Sequence, residues 1–270
     1  MRCLRLYAVK TRVIHVGDNL VDLVLKALTE QNLLLEDNDV LVFASKIVAY
    51  AQGRIVKLDD VKPSKRAVEL AERFSIRSEL AELILREANA VYGGVEKAVL
   101  TLKNHVLTVN AGIDNKNAPL GCVVLWPENV KETAKQLREE ILHKTGKKVA
   151  VLIVDSGLMP LRKGTMGLAL AVAGFKPVED YRGQSDLYGR EIVITQHAIA
   201  EDLASAAHLL MGESSEKTPI VLVKGAPLKF DDGVYGPEDL ALPSSQCVFM
   251  NAFSAQPSNA LMRPAFSRAL

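Results

Sequence analysis

Cysteine is scarce in this sequence and shows no pairing pattern. Cys3, Cys122 and Cys247 are the only 3 in 270 residues, and none forms a Cys-x-x-Cys spacing. That excludes a zinc ribbon and a disulfide framework, and points to a reducing compartment, the cytoplasm. An excess of charge is missing as well. The 33 basic residues face 32 acidic ones, for a formal net charge of +1. A protein that follows a nucleic-acid backbone carries a clear basic surplus, so nucleic acid is not an expected partner. Long apolar runs are absent too: none reaches the ~20 residues of a membrane span. The opening Met1-Arg2-Cys3-Leu4-Arg5-Leu6-Tyr7 lacks the apolar core of a signal peptide. No membrane association is expected.

The common nucleotide and hydrolase signatures are also missing. Thr145-Gly146-Lys147-Lys148 lacks the upstream glycine of a P-loop and precedes a strand. There is no Gly-x-Gly-x-x-Gly between a strand and a helix, no Gly-x-Ser-x-Gly elbow and no His-Glu-x-x-His. A serine hydrolase, a zinc protease and an ordinary dinucleotide-binding dehydrogenase are therefore disfavoured. The 5 histidines show no ligand spacing. His208, set among Ala206, Ala207, Leu209 and Leu210, reads as a packed helix residue, and catalysis falls on none of the histidines.

What is present is a globular mixture, 49% apolar and 24% charged, long enough for one large domain or two interleaved ones. Short β-branched runs at 40–44, 106–110, 149–154 and 220–224 have the length of single strands. Between them lie helical patterns. Asp18 is the expected cap of a helix whose apolar face is Leu20, Leu23, Val24, Ala27 and Leu28. Residues 64–74, 78–91, 132–143 and 198–211 read as further helices, with Gly146 and Gly212 as stops. Strands and helices do not alternate regularly, so the expected fold class is α+β, mixed sheets with helices. From Gly225 the periodicity weakens. The expected division is a unit at 1–241 and a tail at 242–270.

Chemistry concentrates at strand ends. Strand 106–110 runs into Ala111-Gly112-Ile113-Asp114, and strand 149–154 into Asp155-Ser156. Carboxylates just past buried strands are held rigidly, and Mg²⁺ or Mn²⁺ takes a few such oxygens plus substrate phosphates. Turn or cap residues would look the same. Arg162-Lys163 before Gly164 suits phosphate or carboxylate recognition, as a solvated basic turn would also. The polar stretch 180–191, with Arg182 and Arg190, reads either as a binding loop or as a salt-bridged dimer contact. Glu213, just past Gly212, could complete a metal site or be only a helix end.

In these blocks the chain resembles the coenzyme F420-0:γ-glutamyl ligase family, from about Gly17 to Lys224. The shared blocks include Gly17-Asp18-Asn19-Leu20, Asp39-Val40-Leu41-Val42, Ala51-Gln52-Gly53-Arg54 and Val109-Asn110-Ala111-Gly112-Ile113-Asp114 with Asn117. Further along are Asp155-Ser156, Arg162-Lys163-Gly164, Ala173-Gly174, Tyr181-Arg182-Gly183, Asp186-Leu187-Tyr188-Gly189-Arg190-Glu191 and Leu210-Met211-Gly212-Glu213. The resemblance implies an intertwined, two-lobed α+β homodimer that uses GTP to join L-glutamate to a carboxylate acceptor through an acyl phosphate. It implies two divalent ions, Mg²⁺ or Mn²⁺, and K⁺ as a further cation. The metal ligands it implies are Asp114, Asp155, Ser156 and Glu213. Nucleotide contacts fall on Thr11, Arg12, Val13, Ile14, Ser45, Lys46, Asn117, Met211, Gly212, Glu213, Ser214, Ser215, Glu216, Lys217 and Thr218. Arg162, Lys163, Arg182 and Arg190 are the cations expected to grip phosphate or substrate carboxylate during catalysis.

The chain departs from the family pattern near these residues. A Gly-x-Pro turn is here Lys10-Thr11-Arg12, and Tyr50 stands where a lysine often precedes the Ala-Glu-Gly-Arg block. The stretch after the second aspartate is Ser156-Gly157-Leu158-Met159 in place of Thr-x-Gly-Arg. A different acceptor, such as a folate, and a nucleotide-binding regulatory protein without ligation stay open as alternatives.

Overall fold

The computed structural model describes residues 3–254. The chain runs β1 (Arg5–Val9), α1 (Leu20–Glu30), β2 (Val40–Ala44), α2 (Ser45–Ala51), β3 (Ile55–Lys57), α3 (Lys65–Phe74), α4 (Ser78–Glu87), β4 (Ala90–Val95), β5 (Ala98–Lys103) and β6 (Val106–Val109). It continues β7 (Cys122–Val124), α5 (Val130–Thr145), β8 (Ala150–Gly157), β9 (Met166–Phe175), β10 (Glu179–Asp180), β11 (Gln196–His197), α6 (Ile199–Met211), β12 (Ile220–Lys224), β13 (Phe230–Tyr235) and α7 (Pro237–Leu240). Residues to Leu240 form one compact body, and a separate short segment starts at Ala241. Within the described part of that segment lies one helix, α8 (Val248–Ser254). The rest of the expected tail, 255–270, lies outside the described residues.

A six-stranded sheet ordered β1-β12-β2-β8-β9-β13 carries the body. β2 and β8 are parallel; every other pairing in it is antiparallel. Both faces of the central strands are covered, which explains their unbroken apolar runs. Leu41 and Phe43 of β2 face α1 and α5, whereas Val40 and Val42 pack with Ala200, Leu203, Ala204 and Ala207 of α6. A third core gathers α3, α4, the β3–β7 pair and the β4–β5–β6 sheet around Ile84, Phe74 and Val99. The α+β class with mixed sheets is the observed one.

α6 lies very close to β9 because residue 167 is glycine. A Cβ there would overlap the backbone of Ala204, and the Ser205 hydroxyl donates to the Gly167 carbonyl at 3.2 Å. Gly167→Ala is expected to destabilise the fold by about 1–3 kcal/mol, the scale of overpacking in a filled core. Urea denaturation measures it.

Local expectations need four corrections. Asn19, not Asp18, caps α1: its Oδ1 accepts from the Asp22 N–H at 2.8 Å. Asp18 is taken by Arg12, which binds both carboxylate oxygens at 2.6 and 2.8 Å. The helix expected at 78–91 stops at Glu87, because Ala90–Val95 pairs with β5 instead. The strand expected at 149–154 continues to Gly157, since β9 supplies partners for Asp155, Ser156 and Gly157. Both candidate ligands therefore sit within a strand rather than beyond it. The weakly periodic stretch after Gly225 contains β13, which pairs with β9 at the sheet edge.

Glu82 of α4 ties down the start of α3. Its carboxylate accepts the Ser64 N–H at 2.9 Å and the Arg86 Nε at 2.9 Å, and Ser64 caps α3. The Ser64 hydroxyl and N–H, then Arg86, hold the carboxyl down at about 2. A carboxyl whose folded value is depressed stabilises the protein above its unfolded value and loses that contribution as the pH falls through the folded one. Glu82→Gln is therefore expected to flatten the loss of stability between the ordinary carboxyl value of 4.5 and about 2. Denaturant titrations across that range check it.

Candidate active site

The parallel register of β2 and β8 builds the site. Ala44 stands opposite Val154, so Ser45-Lys46 and Asp155-Ser156 emerge side by side. β12 is antiparallel to β2, and β1 to β12, which brings the start of β12 and the end of β1 to the same edge. The Ala44 N–H donates to the Pro219 carbonyl at 2.9 Å and the Thr11 N–H to the Lys217 carbonyl at 3.0 Å. Ligands of open sheets collect at the carboxyl ends of parallel strands. Here that edge holds a cavity of about 900 Å³.

Every residue expected at the nucleotide or metal lines this cavity: Thr11, Arg12, Val13, Ile14, Ser45, Lys46, Asp114, Asn117, Asp155, Ser156 and 211–218. Asp114 arrives through a turn in which Asn110, Ala111 and Gly112 all have positive φ, at 51°, 53° and 74°. Such a run is unfavourable for non-glycine residues and needs fixing from outside. The Asn110 side chain accepts the Val99 N–H at 2.8 Å, and the Ala111 N–H donates to the Thr101 hydroxyl at 2.9 Å. Asp114 then exchanges backbone hydrogen bonds with Val124 at 3.0 and 2.8 Å.

Lysines offset the carboxylates. Lys46 Nζ lies 2.6 Å from Asp114 Oδ2, and Lys116 Nζ lies 2.6 Å from Glu213 Oε2. Glu213 also accepts from the Thr165 hydroxyl at 2.6 Å and meets His208 Nε2 at 2.8 Å. Burial acts to raise the Glu213 carboxyl, but Lys116, Thr165 and His208 outweigh it and bring it to about 2. Glu213 in turn raises the Lys116 ammonium. Asp155 is the opposite case. Burial pushes its carboxyl up, and the Ser156 N–H, the Trp126 indole, Lys46 and Ser45 only partly offset this. Two loops close the cavity wall: the Asn117 amide donates to the Ser214 carbonyl at 2.7 Å, and the Tyr50 hydroxyl to the Asn117 carbonyl at 2.6 Å.

The donor set suits a hard cation held openly. The carboxylates of Asp114, Asp155 and Glu213 and the Ser156 hydroxyl line the same cavity. Among the described residues, however, no three Asp, Glu, His or Cys side chains are grouped closely enough to hold a metal ion by themselves. An ion that keeps water and substrate phosphates as ligands needs only one or two of these carboxylates at a time.

The four cations assigned to catalysis are not brought to this cavity. Arg162 and Lys163 ride on the exposed turn between β8 and β9, beyond the sheet edge. Arg182 is paired with Asp180 at 2.5 Å, and Arg190 lies in the exposed stretch between β10 and β11. Sequence reasoning missed Lys116, Thr165, His208 and Trp126. Lys116 was within reach, two positions past Asp114; His208 was set aside for its apolar neighbours, yet it faces Glu213. Two of the substituted positions have partners: Arg12 is tied to Asp18, and Tyr50 spans to Asn117.

A cavity lined by paired carboxylates and ammonium groups at the carboxyl ends of parallel strands has the form of a small-molecule site. The family model described as F420-0:Gamma-glutamyl ligase matches residues 8–225. The chain is 37% identical over 218 residues to the coenzyme F420:L-glutamate ligase of Methanocaldococcus jannaschii, covering 80% of this chain and 86% of that one. With the ligase of the same name from Methanothermobacter thermautotrophicus it shares 36% over 226 residues, covering 82% and 90%. A third, from Methanopyrus kandleri, is 37% identical over 215 residues, covering 79% and 83%. The chain belongs to the F420-0:γ-glutamyl ligase family and is a ligase that forms a carbon–nitrogen bond. Among the described residues no helix is long and apolar enough to cross a membrane.

Proposed function

We propose that this protein is a GTP- and metal-dependent amide ligase that joins L-glutamate to the carboxylate of a coenzyme F420-0-like acceptor. One observation carries the reading: five segments far apart in sequence, around Thr11, Lys46, Asp114, Asp155 and Glu213, converge on one cavity of about 900 Å³. That is ample for a nucleotide, ligand pockets being commonly about 300–1,000 Å³.

A carboxylate is a poor acyl donor, because its leaving group would be oxide. In the first step an acceptor carboxylate oxygen attacks the γ-phosphorus of GTP. The bond to the β-phosphate oxygen breaks and GDP leaves, giving an acyl phosphate. In the second, the glutamate amine attacks the acyl carbon, phosphate leaves with the bonding pair, and the amine loses a proton. Lys46 and Lys116 supply positive charge on the cavity wall for phosphate oxygens. Asp114, Asp155, Ser156 and Glu213 would hold Mg²⁺ or Mn²⁺, which neutralises phosphate charge when bound. The lysine pairs on Asp114 and Glu213 would then exchange partners, from carboxylate to phosphate. No side-chain nucleophile is required.

Titrating GTP, then ATP, into the protein calorimetrically with and without Mn²⁺ tests the nucleotide site. Binding of GTP only with metal is the expected result. Mass-spectrometric detection of the glutamyl adduct with F420-0 as acceptor tests the reaction. Absence of binding by either nucleotide would overturn the reading.

A homodimer is part of the same proposal. Leu187, Tyr188, Val193 and Ile194 are exposed along the stretch that carries Arg182 and Arg190, an unusual density of bare apolar side chains. Tyr188→Asp combined with Ile194→Asp is expected to give a monomer in sedimentation velocity, against a dimer for the unaltered chain.

A further inference from the structure

The chain has a single tryptophan, Trp126, and it is buried. Its indole N–H donates to Asp155 Oδ2, while Asp155 Oδ1 accepts the N–H of Ser156 at 2.9 Å. Asp155 lines the cavity, and Trp126 does not. The indole thus reaches the carboxylate from behind, through the wall of the site.

Trp126 is itself held firmly. Gly112 lies against the ring so closely that a Cβ there would overlap the indole, on its N–H edge. Arg54, from the Ala51-Gln52-Gly53-Arg54 block, donates its Nε to the Trp126 carbonyl at 3.1 Å. The same guanidinium binds both oxygens of Glu87, at 3.0 and 2.9 Å, and meets Glu128 at 2.7 Å. Glu87 also pairs with Lys103, a buried lysine whose ammonium stands 5.9 Å over the Trp126 ring. A cation over an indole face interacts with the π-system and draws electron density from the ring, which sharpens the N–H as a donor. Drawing an ionic trio out of water, Lys103 buried and Arg54 and Glu87 half-buried, is costly if it only fills a core. Here the trio brackets one aromatic ring whose polar edge points at a site carboxylate.

We propose that Trp126 is a positioning residue: its indole N–H fixes the Asp155 carboxylate at the cavity wall, and the affinity of the site for a divalent cation depends on that bond. The inference rests on the proposed metal-dependent function. Outer partners that orient a metal-binding carboxylate typically set affinity by about 10–100-fold when lost. Gly112, Arg54, Glu87 and Lys103 are then the frame of this device.

The test is Mn²⁺ binding to the full chain, read from the electron paramagnetic resonance signal of free Mn²⁺, with GTP present. Trp126→Phe keeps the ring and its packing but removes the N–H. The expected result is Mn²⁺ affinity lower by about 10–100-fold, with circular dichroism and thermal midpoint close to those of the unaltered protein. Unchanged affinity in Trp126→Phe, beside an unaltered protein that binds, would overturn the inference and leave the proposed function standing. Failure of the unaltered protein to bind Mn²⁺ would overturn the proposed function and the inference with it. Should Trp126→Phe not fold, nuclear magnetic resonance of the ¹⁵N-labelled unaltered protein decides. The lone indole cross-peak is expected to move on adding Mg²⁺ with GTP, and to move upfield in Asp155→Asn. A cross-peak that answers neither change would overturn the proposal.

Discussion

Asp155→Asn is expected to leave a folded protein whose ligation rate is lower by roughly 10²–10³-fold, the scale on which loss of one preorganised electrostatic group slows an enzyme. The substitution keeps the size but removes the charge, and its single oxygen can accept from only one of the Trp126 indole and the Ser156 N–H. Two opposing effects on stability follow. Burial pushes the Asp155 carboxyl up, so the amide removes the cost of an ionised group at neutral pH, while a donor left facing the amide nitrogen costs a comparable amount. The melting temperature is therefore expected to change little, and lost activity in a protein of similar stability is the signature of a group kept for function. Product formation by mass spectrometry and a thermal melt together check it. An active variant would remove Asp155 from the reaction, and a variant that no longer folds would make it a structural residue.

Gly112→Ala is expected to damage the body more than a single methyl group ordinarily would. Two costs add at this position. The backbone has φ +74°, where an L-residue is strained by about 1–2 kcal/mol. The new methyl would also overlap the indole of Trp126, and overpacking of this kind costs about 1–3 kcal/mol. The total expected loss is about 2–5 kcal/mol, measured by urea denaturation. Because the ring bears on Asp155, Mn²⁺ affinity should fall with stability. In Gly167→Ala, whose strain bears on α6 instead, stability should fall alone. A Gly112→Ala protein as stable as the unaltered one would mean that the 110–112 turn and the indole can relax apart.

The sequence made the pieces of this protein legible and left their assembly hidden. The runs at β2 and β12 were readable because both of their faces are buried, which no surface strand imitates. The site blocks were readable because Asp114, Asp155 and Glu213 each sit beside a turn or strand signal. What joins them was not. Lys46 reaches Asp114 across 68 positions and Lys116 reaches Glu213 across 97, and no local pattern encodes either pairing. The helix that seemed to run past Glu87 is cut short by pairing of β4 with β5, a tertiary preference that overrides local spacing. Asp18 and Asn19 are adjacent residues of equal capping power, and the choice between them is made by Arg12. Arg162, Lys163, Arg182 and Arg190 stand out for their charge and for the family blocks that hold them, and neither says which way an exposed turn faces.

The position of β12 has a consequence for biosynthesis. This strand is laid between β1 and β2, although it follows them by almost the whole length of the body. Until residues 220–224 leave the ribosome, the facing edges of β1 and β2 have no partner, and both are apolar. A nascent chain in that condition presents the kind of open edge on which aggregation begins. The same insertion brings Lys217 and Thr218 to the cavity, so ligand-binding competence and closure of the sheet arrive in one late, long-range event. Nucleotide present during synthesis or refolding should therefore favour the final step and not the early ones, and a chain halted before β12 should depend heavily on chaperones.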